Sequence, residues 1–156
     1  MPQKQSAGIL LFKINNGITK FFLVHPGGPF WKNKNYGAWT IPKGEFADNE
    51  NALEAAKREF KEETGAGLTG DFITLSPIKQ KGGKTVFGWA IEGDLDANNI
   101  VSNTFEMEWP PKSGKKQIFP EIDRSEWFSG EEAKQKINSS QAILLDELID
   151  ILKKRN

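Results

Sequence analysis

The stretch from Gly44 to Ala66, GEFADNENALEAAKREFKEETGA, decides how this chain is read. Pro42-Lys43-Gly44 turns the chain, and a predicted helix runs from about Glu50 to Thr64 with Gly65 just past its end, where glycine suits a left-handed cap. Leu53, Ala56 and Phe60 make its apolar stripe. At 100° per residue, Glu59 and Glu63 stack one turn apart and Glu62 lies one step round the same side, so three carboxylates converge. Like charges at that spacing destabilise a helix, and acids near its C-terminus oppose the macrodipole. A divalent cation compensates both. All-oxygen donors at close range suit Mg²⁺ or Mn²⁺, which complete their coordination with waters and substrate phosphates. The competing reading is a solvated helix face on which Lys57, Arg58 and Lys61 balance the acids.

The wider spacing separates the two. Gly44, five residues, Glu50, seven residues, then Arg58-Glu59-Phe60-Lys61-Glu62-Glu63-Thr64-Gly65-Ala66 resembles the full Nudix hydrolase box. At average residue frequencies, seven fixed identities so spaced coincide by chance on the order of once in 10⁸ starts. The chain departs from the box only at hydrophobic positions, where Phe60 is bulkier and Ala66 smaller than the usual aliphatics. The resemblance implies an α/β (α+β) fold, an α/β/α sandwich with a mixed sheet between helices, and hydrolysis of a nucleoside diphosphate linked to another group. It implies metal ligation by Glu59, Glu62 and Glu63, assisted by the Gly44 carbonyl, and makes these acids and Arg58 the candidate catalytic residues. Arg58 and Glu50 would form a buried or semi-buried ion pair orienting loop and helix. Water activated by the ions would attack phosphorus in line.

Substrate class rests on residues outside the box. Pro42-Lys43-Gly44 and the run Lys79-Gln80-Lys81-Gly82-Gly83-Lys84-Thr85-Val86 resemble the diadenosine tetraphosphate hydrolase branch, and Lys43, Lys79, Lys81 and Lys84 suit a long polyphosphate. A solvated hairpin tip is the alternative for that run. Glu121, six residues before Trp127-Phe128, stands where that branch places a further metal-binding Glu. His25-Pro26-Gly27-Gly28-Pro29-Phe30-Trp31 and Phe119-Pro120-Glu121-Ile122-Asp123-Arg124 resemble a bacterial subgroup of Nudix pyrophosphohydrolases. Phe30, Trp31 and Tyr36 are candidates to stack an adenine. Trp39 reads equally as core, and His25, the sole histidine, as a structural residue rather than a ligand.

Around this centre, Ala7 to Ile14 and Thr19 to His25 read as antiparallel strands joined at Asn15-Asn16-Gly17. Pro26 to Tyr36 is a loop, followed by a short apolar stretch at Ala38 to Ile41. Further strands are expected at Phe72 to Leu75, Thr85 to Ile91 and Thr104 to Trp109, and Pro110 to Gly114 is a loop inside the domain. Ser129 with Glu132 caps a short helix, and Leu144, Leu148, Ile151 and Leu152 stripe a terminal one.

Composition bounds the rest. The chain has 156 residues, 21 Lys plus Arg against 21 Asp plus Glu, and no Cys, so one domain over residues 1–156 is expected and thiolate metal sites are excluded. Charge balance argues against non-specific nucleic-acid or membrane binding. No stretch approaches the ~20 apolar residues of a spanning helix, and the expected compartment is the cytoplasm. The expected partner is a small nucleotide, with oligomeric state left open. Nucleoside triphosphates and RNA 5′ ends are same-chemistry alternatives to dinucleoside polyphosphates. A non-catalytic Nudix-fold sensor is the alternative of another class, and retention of all three box acids argues against it.

Overall fold

The Asn16-Gly17 turn carries positive φ at both residues, 53° and 77°, which is what a two-residue hairpin needs to match the twist of its strands. It joins β1 (Gln5–Asn15) to β2 (Ile18–Pro26) in the computed structural model of the chain, which describes residues 4–80 and 82–155. Then come β3 (Lys43–Glu45), α1 (Ala52–Thr64), β4 (Ile73–Thr74), β5 (Ile78–Lys79) and β6 (Thr85–Glu92). β7 (Thr104–Glu108), β8 (Lys116–Pro120), β9 (Ile122–Ser129), α2 (Gly130–Lys136) and α3 (Ala142–Lys154) complete the order.

β1 organises the sheet. It pairs antiparallel with β2 and β3 and parallel with β6, in the order β4-β6-β1-β2-β9, with β5 also on β6. Because both faces are covered, β1 is apolar almost throughout rather than alternating. Leu10 and Phe12 face Phe21, Leu23 and the α3 residues Leu144 and Leu148; Ala7, Ile9 and Leu11 face Phe22, Val24 and the α1 residues Ala56 and Phe60. The mixed sheet thus lies between α1 and the α2–α3 layer, the sandwich implied by the sequence.

The helix of the box begins later than expected. Asn51 caps it, its side chain accepting from the Glu54 amide at 3.0 Å, so Glu50 lies outside the helix. Gly65 closes it at φ 84° with its N–H on Lys61 O at 2.7 Å. The buried stripe is Ala55, Ala56, Glu59, Phe60, Glu63 and Thr64, with Leu53 only partly covered. Two of the three box acids therefore occupy core positions of an amphipathic helix.

β7 and β8 pair only with each other, in a two-stranded ribbon whose tip contains the Pro110 to Gly114 loop. Residues 38–41 form isolated bridges, Val24 with Thr40 and Trp39 with Ile137, and Trp39 is fully buried against Phe128. Among the described residues no helix is long and apolar enough to cross a membrane.

Candidate active site

Three elements meet where β3, the second half of α1 and the β8–β9 junction converge. β3 runs beside the start of β1, with Gly44 opposite Ala7. A Cβ at position 44 would collide with the Glu59 carboxyl group, so glycine here lets an acid of α1 lie directly on the β3 backbone. Glu59 is 9% exposed and Glu63 7%. Burial, then the neighbouring Glu59 and Glu121 carboxylates, push Glu63 up from 4.5 to about 8, although Lys43 pulls the other way through its charge and its backbone N–H. Glu59 is likewise raised, by burial and then Glu62, against the opposing pull of Arg58. Glu121, between β8 and β9, is raised by burial and by Glu62. Four carboxylates on two segments therefore repel one another in a partly desolvated place.

Arg58 holds this cluster from the solvent side. Its Nη1 donates to Glu59 at 2.9 Å and to Glu62 at 3.3 Å, and its Nη2 donates to Glu50 at 3.2 Å. Burial works against its charge, but Glu59, Glu50 and Glu62 more than offset that and leave its pKa raised. The expected buried or semi-buried Arg58–Glu50 pair lies at the surface, the side chains 42% and 39% exposed, because Glu50 precedes the helix on an open loop. Glu59 and Glu62 both turn to the guanidinium, and among the described residues no three acids are already gathered around a common point. The donor set nonetheless fits a hard divalent cation. It is all oxygen, acidic in excess of the cations inside it, and desolvated enough that bound positive charge would relieve the repulsion.

The lysines gather in part. Lys43 has its pKa lowered by burial and then by the charge of Lys84, so these two side chains share one neighbourhood with Glu63 and Glu59. Lys79 lies exposed on β5, Gln80 closes the tip by donating to Lys84 O at 2.8 Å, and Lys81 lies outside the described residues. The three aromatics diverge. Phe30 stands edge-on to Trp109 at 5.6 Å, Trp31 lies under Lys34, and Tyr36 is 71% exposed beneath Lys136 of α2.

Sequence reasoning did not single out Asp123 or Trp109. His25 is fully buried between Asp123 Oδ1, 2.7 Å from Nδ1, and Lys34 O, 2.6 Å from Nε2, so it ties the loop after β2 to β9 as a structural residue. Alternation along β7 and β8 about a Pro-Gly tip was the available signal for the ribbon that carries Trp109.

Gly44 of β3 beneath the buried carboxylates Glu59 and Glu63 of α1, in an α/β/α sandwich, is an arrangement of oxygen donors whose chemistry suits a divalent cation. The chain belongs to the NUDIX domain family, whose match covers residues 2–148. It is 36% identical over 69 residues to an RNA pyrophosphohydrolase of Bartonella henselae, covering 42% of this chain and 37% of that protein. It is 31% identical over 100 residues to the asymmetrical bis(5′-nucleosyl)-tetraphosphatase of Rattus norvegicus, covering 56% of this chain and 64% of that one. The matched region is thus under two thirds of the length of either relative. An Ap4A hydrolase of C. elegans superposes with a TM-score of 0.63 at 22% identity, over 97% of this chain and 98% of that one, which shows the shared fold.

Proposed function

We propose that this chain is a Mg²⁺- or Mn²⁺-dependent hydrolase of phosphoric anhydrides that cuts a nucleoside diphosphate from the group it is linked to, with dinucleoside polyphosphates such as diadenosine tetraphosphate as its substrates. The observation that carries this is the carboxylate quartet Glu59, Glu62, Glu63 and Glu121, with Glu59 and Glu63 buried and two lysines at its edge. Ions held there would acidify the attacking water and neutralise charge developing on the phosphate oxygens. The carboxylates of Glu59, Glu62 and Glu63 would hold them, with Glu121 and the Gly44 carbonyl completing the protein's share of donors.

The other side chains have separable tasks. Arg58 is a positioning residue that fixes Glu59 and Glu62 through one nitrogen and the approach loop through the other. Lys43, its pKa lowered by burial and then by Lys84, and Lys84 itself place two point charges beside the acids, which suits a phosphate chain longer than the segment being cut. Lys79 and Lys81 extend the same run.

The rat relative, a bis(5′-nucleosyl)-tetraphosphatase, supports the dinucleoside reading. The Bartonella relative's name favours RNA 5′ ends as a second reading, with the same centre and the same bond type. The test is product analysis on diadenosine tetraphosphate, ATP and a 5′-triphosphorylated RNA, each with Mg²⁺ and with excess chelator. Metal-dependent cleavage with kcat/KM highest on diadenosine tetraphosphate supports the proposal. Preference for RNA moves the substrate, and no cleavage of any of them leaves a binding module.

A further inference from the structure

A cavity opens at the β8–β9 junction, next to Glu121. It has a volume of about 530 Å³, and its walls include Pro29, Lys32, Trp109, Phe119, Pro120 and Asp123. That size lies within the range of small-ligand clefts. One wall is the loop after β2, the other the β7–β8 ribbon, and the two are shaped to close on each other. A Cβ at Gly27 would run into the Pro120 carbonyl, and one at Gly28, whose φ is 98°, would touch the Phe105 ring. The Gly27 N–H donates to Glu121 O at 2.8 Å, so the loop is fastened to the very residue whose side chain joins the carboxylate quartet.

The aromatic wall is held firmly. Trp109 stands edge-on to Phe30 at 74°, its backbone N–H donates to Lys115 O at 2.9 Å, and Gln117 Nε2 donates to its carbonyl at 2.9 Å. Phe119 is backed by Phe105 at 5.9 Å. Asp123 is fixed by the buried His25, which occupies its Oδ1; Oδ2 accepts no hydrogen bond among the described residues. A carboxylate can only accept, so the complementary group on a ligand is an N–H.

Resting on the phosphoanhydride reading above, we infer that this cleft binds the base of the nucleotide, with Trp109 and Phe119 as the stacking surfaces and Asp123 as acceptor for an exocyclic amino group. Continuity decides the occupant. Pro120, in the cleft wall, is bonded to Glu121, whose carboxylate acts on Glu59 and Glu63, so the cleft adjoins the acids and one nucleotide can place its base in the first and its phosphates at the second. Lys32 at the wall adds a positive charge suited to an anionic ligand. An amino-bearing purine satisfies the aromatic walls and the acceptor together, and base stacking tolerates any π-face while the carboxylate supplies the choice.

The test uses adenosine 5′-monophosphate and inosine 5′-monophosphate, which differ by an amino group against a carbonyl. In ¹⁵N-labelled whole chain with Mg²⁺ present, the Trp109 indole N–H signal is assigned from Trp109→Phe and followed during each titration. Trp109 should shift with the adenine nucleotide and require at least about tenfold more of the inosine one, the low end of what losing one hydrogen bond to a charged group costs. Trp109→Ala should raise KM for the cleaved substrate about tenfold with kcat within about twofold, and Trp109→Phe should restore it, as expected for stacking that binds ground and transition states alike. An unmoved Trp109 signal in a protein that does cleave nucleotides overturns the cleft assignment and leaves the hydrolase reading standing. Equal shifts with both nucleotides overturn the role of Asp123. A Trp109 response without cleavage of any substrate supports the base cleft and sinks the hydrolase reading instead.

Discussion

Replacing Glu63 by Gln should stabilise the metal-free protein while removing its activity. In the metal-free fold the Glu63 carboxyl is pushed from 4.5 to about 8 by burial and by Glu59 and Glu121, so the folded state holds this proton more tightly than the unfolded chain does. The stabilising contribution of the protonated form is fully present below about pH 4.5 and is lost progressively as pH rises through about 8. For a side chain this buried, the full swing is on the order of 2–4 kcal/mol once some relaxation is allowed. Gln keeps the shape and cannot ionise. In excess chelator, wild-type Tm should therefore fall between pH 5 and 8.5 and that of Glu63→Gln should fall less steeply, the raised Glu59 and Glu121 carboxyls still contributing, with the gap at pH 8.5 reaching roughly 5–10 °C for a domain of this size. Mg²⁺ should close the gap by raising only the wild type, and kcat of the variant should be down on the order of 10² or more. Thermal unfolding followed by circular dichroism reads the first part. Parallel pH dependences for the two proteins would refute the reasoning, because Glu63 would then not be the group whose burial costs the fold.

Gly44→Ala should lower kcat/KM at least about tenfold with little change in Tm, since the added methyl displaces the Glu59 carboxylate rather than core atoms; steady-state kinetics beside a melting curve checks it. Arg58→Ala should weaken Mg²⁺ activation while costing no more than about 1 kcal/mol in urea unfolding, because its ion pairs are solvent-exposed on the arginine side. Lys43→Ala and Lys84→Ala should each raise KM a few-fold more for diadenosine tetraphosphate than for ATP at fixed ionic strength, and equal losses would detach these residues from the longer phosphate chain. Phe60→Ala, which empties a fully buried site beside Phe22, should cost about 3–5 kcal/mol and is measured by the same urea titration.

The parts of the fold readable in the sequence are those in which one local pattern has one physical meaning. Asn16-Gly17 can only be a tight turn between two apolar runs, and Gly65 after a row of helix formers can only be an end. The α3 stripe of Leu144, Leu148 and Leu152 is buried as its period requires. β9 escaped because it is the sheet's edge beside β2, and Asp123, Arg124, Ser125 and Glu126 interrupt any apolar alternation. β3 and β5 are three and two residues long, too short for a period to show.

The site shows the same division. Glu59 and Glu63 were legible twice over, as parts of a spaced motif and as like charges stacked one turn apart; that they occupy the buried stripe of their own helix is what the structure adds. Phe30 was named for its ring, but its neighbour Trp109 lies 79 positions along the chain on a ribbon of its own, and such pairings are created by tertiary structure alone. Tyr36 was named on the same grounds and lies against Lys136 of α2, because the loop carrying it folds back on the helix layer.

The central claim is that the acids of α1 form a centre for divalent cations, and the most direct measurement is Mn²⁺ binding followed by loss of the free-ion electron paramagnetic resonance signal, in the wild type, Glu59→Gln and Glu63→Gln. The wild type should bind Mn²⁺ and each variant should bind it at least about tenfold more weakly, as removal of a ligand charge requires. Equal binding by all three proteins would place the metal elsewhere and contradict the account.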